Sequence, residues 1–148
     1  MRRLTPFRLS VLGLLGALAI TPLAAFWAVA NPTSVYAAPV VYAAYMTGPA
    51  ESPPVASPGT GHARVTIDTA AHTLRVQADF TGLVGPTTAS HIHAPTAVPL
   101  TGIVGVATQL PSFAGFPLGV TSGTYDNTFD TTLASSFSAA FMAANGGT

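Results

Sequence analysis

The sequence predicts an all-β domain, a Greek-key β-sandwich or barrel with one short helix near the C-terminus. Three observations predict it. Short runs of residues alternate apolar and polar side chains, which is the mark of half-buried strands. Turn formers separate those runs, with 14 Gly and 13 Pro spread along 148 residues, too many for a helical bundle or coiled coil. Hydrophobic residues make up 49% of the chain, which is too apolar for intrinsic disorder. Charge is scarce at 7%, against about 25% in an average soluble domain. With five arginines, five acidic residues and no lysine, no basic patch exists to neutralise phosphates, so nucleic acid is not expected as a partner. Cysteine is absent, which removes disulfides, thiolate metal sites and thiol nucleophiles together.

Residues 1–37 read as a secretory signal peptide rather than as part of the fold. Arg2, Arg3 and Arg8 precede a charge-free apolar run of 22 residues, Leu9 to Ala30, and small residues follow; basic, apolar and small in that order is the pattern of export. The Arg2-Arg3 pair lacks the flanking residues of twin-arginine export. A run of this length is enough to span a bilayer, but Pro22 interrupts it and no basic residue flanks its far end, so cleavage is preferred over a retained anchor. Two sites compete, after Ala30 and after Ala37, and the second is favoured because strand-like alternation resumes just beyond it. Contact with the membrane is then only transient. Residues 38–148 carry Arg64 and Arg75 against Glu51, Asp68, Asp79, Asp126 and Asp130, a net charge of −3.

Within 38–148, Val40 to Tyr45 is β-prone, and Gly48 to Pro54 ends it, because proline and glycine there cannot continue a regular element. Ala63, Val65 and Ile67 then alternate with Arg64, Thr66 and Asp68, and Leu74, Val76, Ala78 and Phe80 alternate with Thr73, Arg75, Gln77 and Asp79. Thr69 to His72 is short enough to close a hairpin. Matching the apolar faces pairs Ile67 with Leu74, Val65 with Val76 and Ala63 with Ala78. The same register sets Thr66 opposite Arg75 and His62 opposite Asp79 on the solvated face. After a turn at Gly82 to Pro86, Thr87 to His93 reads as a third strand of the main sheet, and Ile103, Val104 and Val106 begin another. Gly115 to Asp130 fits one or two more. Phe137 and Phe141, four apart with Met142 beside them, point to the terminal helix.

Glu51-Ser52-Pro53-Pro54-Val55 with Ser57 and Gly61, the hairpin with Asp68 and Leu74, Gly82-Leu83, and Ala89-Ser90-His91-Ile92-His93-Ala94-Pro95 together resemble the CHRD domain, named for chordin. The resemblance runs from about Tyr42 to the end of the chain. It implies a small exported protein with a Greek-key β-sandwich. Members of the family usually continue past a helical segment like Ser136 to Asn145 into an N-I-H-like strand and a G-E-I-R-G-like closing motif. Here the sequence stops at Gly146-Gly147-Thr148, so the comparison implies that C-terminal strands of the domain are missing from it.

His91 and His93 lie two apart on an expected strand, so both imidazoles project from one face, roughly 6–7 Å apart at the backbone. Two nitrogens so placed can share a copper or zinc ion, but a protein site needs about three or four ligands. The competing reading has both histidines bonded to loop backbone near Pro95. Glu51, the only glutamate, is either a further ligand or an acceptor for loop backbone donors. The aromatic residues Trp27, Tyr36, Tyr42 and Tyr45 are read as core. No G-x-S-x-G elbow, P-loop or dinucleotide fingerprint occurs. Ser90 and His91, being neighbours on a strand, point to opposite faces. The expectation is therefore a non-enzymatic exported module that binds an unknown extracellular ligand or protein, or serves a structural role, and that is secreted, periplasmic or held at the cell surface. The alternative is a copper- or zinc-binding carrier or redox enzyme using His91 and His93. The export reading has a direct check: the intact mass of secreted protein corresponds to a chain beginning at Ala38 or, failing that, at Asn31, and recovery of the uncleaved chain in membranes contradicts it.

Overall fold

The structure is a computed structural model and describes residues 37–99 and 101–147. The signal peptide assigned to residues 1–37 lies, except for Ala37, outside them. The described residues are mostly β, as the alternation predicts. Four strands, β1 (Val40–Thr47), β2 (Thr60–Asp68), β3 (Thr73–Thr81) and β4 (Gly123–Asp130), form one antiparallel sheet in the order β1-β2-β3-β4. A short helix, α1 (Ala139–Ala144), lies near the C-terminus. The sheet is open, not closed into a barrel, and its order follows the chain.

The β2–β3 register is the one the apolar faces dictate, with Ile67 opposite Leu74, Val65 opposite Val76 and Ala63 opposite Ala78. A slip by one residue would turn every one of these side chains to the solvent face. Asp68 closes the turn between them by accepting the backbone N–H groups of Ala70 and Ala71 at 3.0 and 2.8 Å, the local side-chain bond for which aspartate is favoured in turns. His72 completes the turn at a φ of 53°, a left-handed conformation uncommon outside glycine.

The inner face of β3 and β4 carries the core: Leu74, Val76, Tyr125 and Phe129, with Phe113 above them. Phe113 comes from the long connection between β3 and β4 and is 4% exposed. Its ring stacks on Phe129 at 5.3 Å and on Tyr125 at 6.0 Å between centroids. Phe116, from the same connection, stacks on Phe80 at 5.6 Å. The layer facing the sheet is thus built from loop segments rather than from a second ladder.

That layer overturns three expectations. Thr87 to His93 is not a strand of the sheet; it makes isolated bridges, Ser90 to Ser112 and His93 to Val106. The cause is chemical. The Ser112 hydroxyl accepts the Ser90 N–H at 3.0 Å and the Thr108 hydroxyl accepts the Ile92 N–H at 2.8 Å, so side chains take donors that a ladder would have used. Ile103 and Val104 are exposed, and only Val106 of that run pairs. Tyr42 and Tyr45 are each 59% exposed rather than core: the covering layer sits over β3 and β4 and leaves the inner side of β1, with Tyr42, bare, while Tyr45 lies on the outer face in register with His62. β1 is an edge strand, and no described strand pairs with its outer side.

The helix is also shorter than its apolar spacing suggests. Phe137 precedes it and bridges to Thr108, while its ring still stacks on Phe141 at 5.7 Å. Ser138 caps α1 by accepting the Phe141 N–H at 3.1 Å, and its own hydroxyl donates to the Val106 carbonyl at 2.5 Å. Cap and tether in one buried residue fix the helix to the loop layer.

The packing yields a paired test. Val76→Asp places an unpaired charge in the core and lowers stability by about 3 kcal/mol or more, while Thr128→Asp, on the exposed face opposite Arg75, changes it by no more than about 0.5 kcal/mol. Thermal unfolding of the two variants checks the register, since equal losses contradict it.

Candidate functional site

The structure brings Glu51, His91 and His93 to one open groove of about 830 Å³ on the inner side of the sheet. Its floor is the part of β2 and β3 that the loop layer leaves uncovered, with Val65, Val76 and Ala78, and Ser57 joins the rim. The two histidine rings stand 5.1 Å apart, edge to face at 62°. The expectation that both project to one side therefore holds, although loop bridges and not a ladder hold the segment.

Each ring is oriented by backbone. His91 Nδ1 lies 3.0 Å from the Pro111 carbonyl oxygen, and His93 Nδ1 lies 2.5 Å from that of Val104. A carbonyl only accepts, so both Nδ1 atoms carry the proton and donate, which leaves each Nε2 as a lone-pair acceptor. This is the backbone-bonded arrangement considered for the two histidines, and it is also how ligating histidines are commonly oriented. Among the described residues, however, no three His, Cys, Asp or Glu side chains come together in a way that could hold a metal ion. Glu51 shares the groove but does not complete a ligand set. Nor does its carboxylate accept a backbone bond; the residue's own contact is its N–H donating to the Gly48 carbonyl at 3.1 Å.

The opposite face of the sheet carries the chain's ion pairs. The register aligns Tyr45, His62 and Asp79 across three strands, and Ala43, Arg64, Gln77 and Asp126 across four. His62 Nδ1 lies 3.2 Å from Asp79 Oδ2, as the pairing of those positions predicts. Arg75 donates through Nε and Nη2 to both oxygens of Asp126 at 2.8 and 2.6 Å, and Gln77 donates to the same carboxylate at 3.1 Å. The hydrogen bond from Arg75 holds the Asp126 carboxyl below its ordinary range, and the same bond raises the Arg75 guanidinium. Asp130, at the end of β4, is likewise held low, chiefly by the Thr132 hydroxyl donating at 2.6 Å. Reading the aromatic residues as core obscured Tyr45, whose outward position follows from its register with His62.

The histidine geometry makes a spectroscopic prediction. Long-range ¹H–¹⁵N correlation should show Nδ1 of both His91 and His93 carrying a proton. His93→Asn, whose amide nitrogen occupies the place of Nδ1, should retain more thermal stability than His93→Ala. Spectra in which Nδ1 is unprotonated contradict the assignment.

A family model described as the CHRD domain matches residues 42–145. No curated protein and no solved structure matches the chain. The match takes in β1 from Tyr42 onward, the other three strands and the terminal helix, together with both sequence elements that carry the resemblance, Glu51 to Val55 and Ala89 to Pro95, and the chain belongs to the CHRD domain family.

Proposed function

We propose that this chain is an exported, non-enzymatic CHRD module that binds a partner, or serves a structural role, at the cell surface or outside the cell. The observation that carries the reading is the open inner groove, a concave surface with an apolar floor and a few polar groups on its rim, which is the general form of a binding site. CHRD domains are typically extracellular, and the basic-then-apolar N-terminus fits the same compartment. Among the described residues no helix is long and apolar enough to cross a membrane.

A second reading, a copper or zinc carrier or redox protein, draws on one observation: the paired rings with both Nε2 lone pairs free. Two titrations of the secreted protein separate the readings. The apolar fluorophore 8-anilinonaphthalene-1-sulfonate is expected to bind saturably to the folded chain and to lose that binding in Val65→Glu. Absence of saturable binding overturns the groove as a binding surface. Cu²⁺ is expected to bind weakly, more tightly than Zn²⁺, and to be lost in His91→Ala and below about pH 6. Tight stoichiometric Cu²⁺ binding favours the metal reading instead.

A further inference from the structure

The outer face of the sheet, opposite the groove discussed above, holds a shallow trough of about 580 Å³ that the proposed function does not use. Its construction follows from the strand period. Ala44, Ala63, Ala78 and Tyr125 turn their side chains inward, so the floor between their neighbours is bare backbone. One wall is Tyr45, His62 and Asp79; the other, beyond the small Ala43, is Arg64, Gln77 and Asp126. Residues two apart on a strand are separated by about 6.6 Å, and adjacent strands by about 4.8 Å. The trough is therefore about one pyranose ring wide, and a polar side chain recurs along each wall at a spacing close to that of successive rings in an extended sugar chain.

We propose that this trough binds a neutral oligosaccharide lying across the strands. Charge balance selects the ligand. At the trough itself Arg64 and Arg75, the second paired with Asp126 from beside the lining, match Asp79 and Asp126 in number, while Asp68 and Asp130 lie at the far ends of their strands, so the trough offers an anion no net attraction and a cation none either. Planar groups that can donate or accept in pairs, namely a guanidinium, an amide and two carboxylates, suit vicinal hydroxyls, which both donate and accept. Arg64 has no salt-bridge partner among the described residues and is available to a ligand. The Asp126 carboxylate is held in place by Arg75 and Gln77, which reduces the ordering that binding would require. Tyr45, 59% exposed, leans on His62 with ring centroids 5.0 Å apart and offers a supported aromatic face to the apolar C–H face of a sugar. A peptide is a poorer fit, because the backbone groups of the floor belong to strands already paired on both sides in β2 and β3 and cannot accept a further strand.

The test is saturation-transfer NMR on the secreted protein with neutral hexasaccharides: β-1,4-linked glucose, β-1,3-linked glucose, β-1,4-linked N-acetylglucosamine and α-linked mannose. Transfer to ring C–H protons of at least one is expected. Affinity should fall about tenfold or more in Tyr45→Ala and in Arg64→Ala, less in Tyr45→Phe, and not at all in His93→Ala, with unfolding temperatures of the two outer-face alanine variants close to the parent's. Raising salt to about 1 M, where the Debye length is about 3 Å, should leave affinity unchanged. No transfer from any of the four sugars, full binding by the Tyr45 and Arg64 variants, or equal loss in His93→Ala overturns the proposal. So does sedimentation showing that the outer-face variants abolish a self-association of the parent, which would make a second copy the occupant.

Discussion

A four-stranded sheet with one apolar face must cover that face, and here a single ring does most of the covering. Phe113 is inserted over β3 and β4 against Tyr125 and Phe129, and the rest of the loop layer is arranged around it. Its N–H donates to the Ser90 carbonyl at 2.8 Å, which fixes the start of the histidine segment. The Tyr125 hydroxyl donates to the Ala114 carbonyl at 2.9 Å, and Asn127 donates to the same oxygen at 3.2 Å, so the turn after Phe113 is tied to β4. Burying a phenylalanine side chain contributes about 1.5–3 kcal/mol, but its positional effect reaches further.

What could be read from the residues alone was the part governed by period. The β2–β3 pairing was legible because both segments alternate strictly and a short turn joins them, which leaves one register that buries Val65, Val76 and Leu74 together. Family membership was legible from Glu51 to Val55 and Ala89 to Pro95. Thr87 to His93 was misread as a strand because hydroxyl groups distant in sequence, those of Ser112 and Thr108, accept its N–H groups, and nothing local announces them. Tyr42 and Tyr45 were misread as core because aromatic residues in a strand are interior only where another layer covers them. The convergence of Glu51 with both histidines on one groove was not visible in their spacing, and among the described residues no third side chain completes a ligand set with the two rings.

The two candidate binding surfaces share β2 and β3 and are divided by alternation. Val65, Val76 and Ala78 face the inner groove, while His62, Arg64, Gln77 and Asp79 face the outer trough. The inner surface selects by shape and apolar contact. The outer one selects by hydrogen-bond geometry, since its charges nearly cancel. One hairpin register therefore maintains both.

The bare edge of β1 has a consequence for the behaviour of the protein in concentrated solution. Val40 to Thr47 contains neither charge nor proline, the usual means by which edge strands discourage pairing. Its outward-facing backbone and half-exposed Val40, Val41 and Tyr42 are attractive toward like surfaces. Opposing this is the long-range repulsion of a chain whose net charge from residue 38 onward is −3. The balance belongs to colloid physics: the second virial coefficient falls toward zero as added salt shortens the Debye length from about 30 Å at 0.01 M to about 8 Å at 0.15 M. Dilution and low ionic strength keep the molecules apart, and crowding brings their edges together.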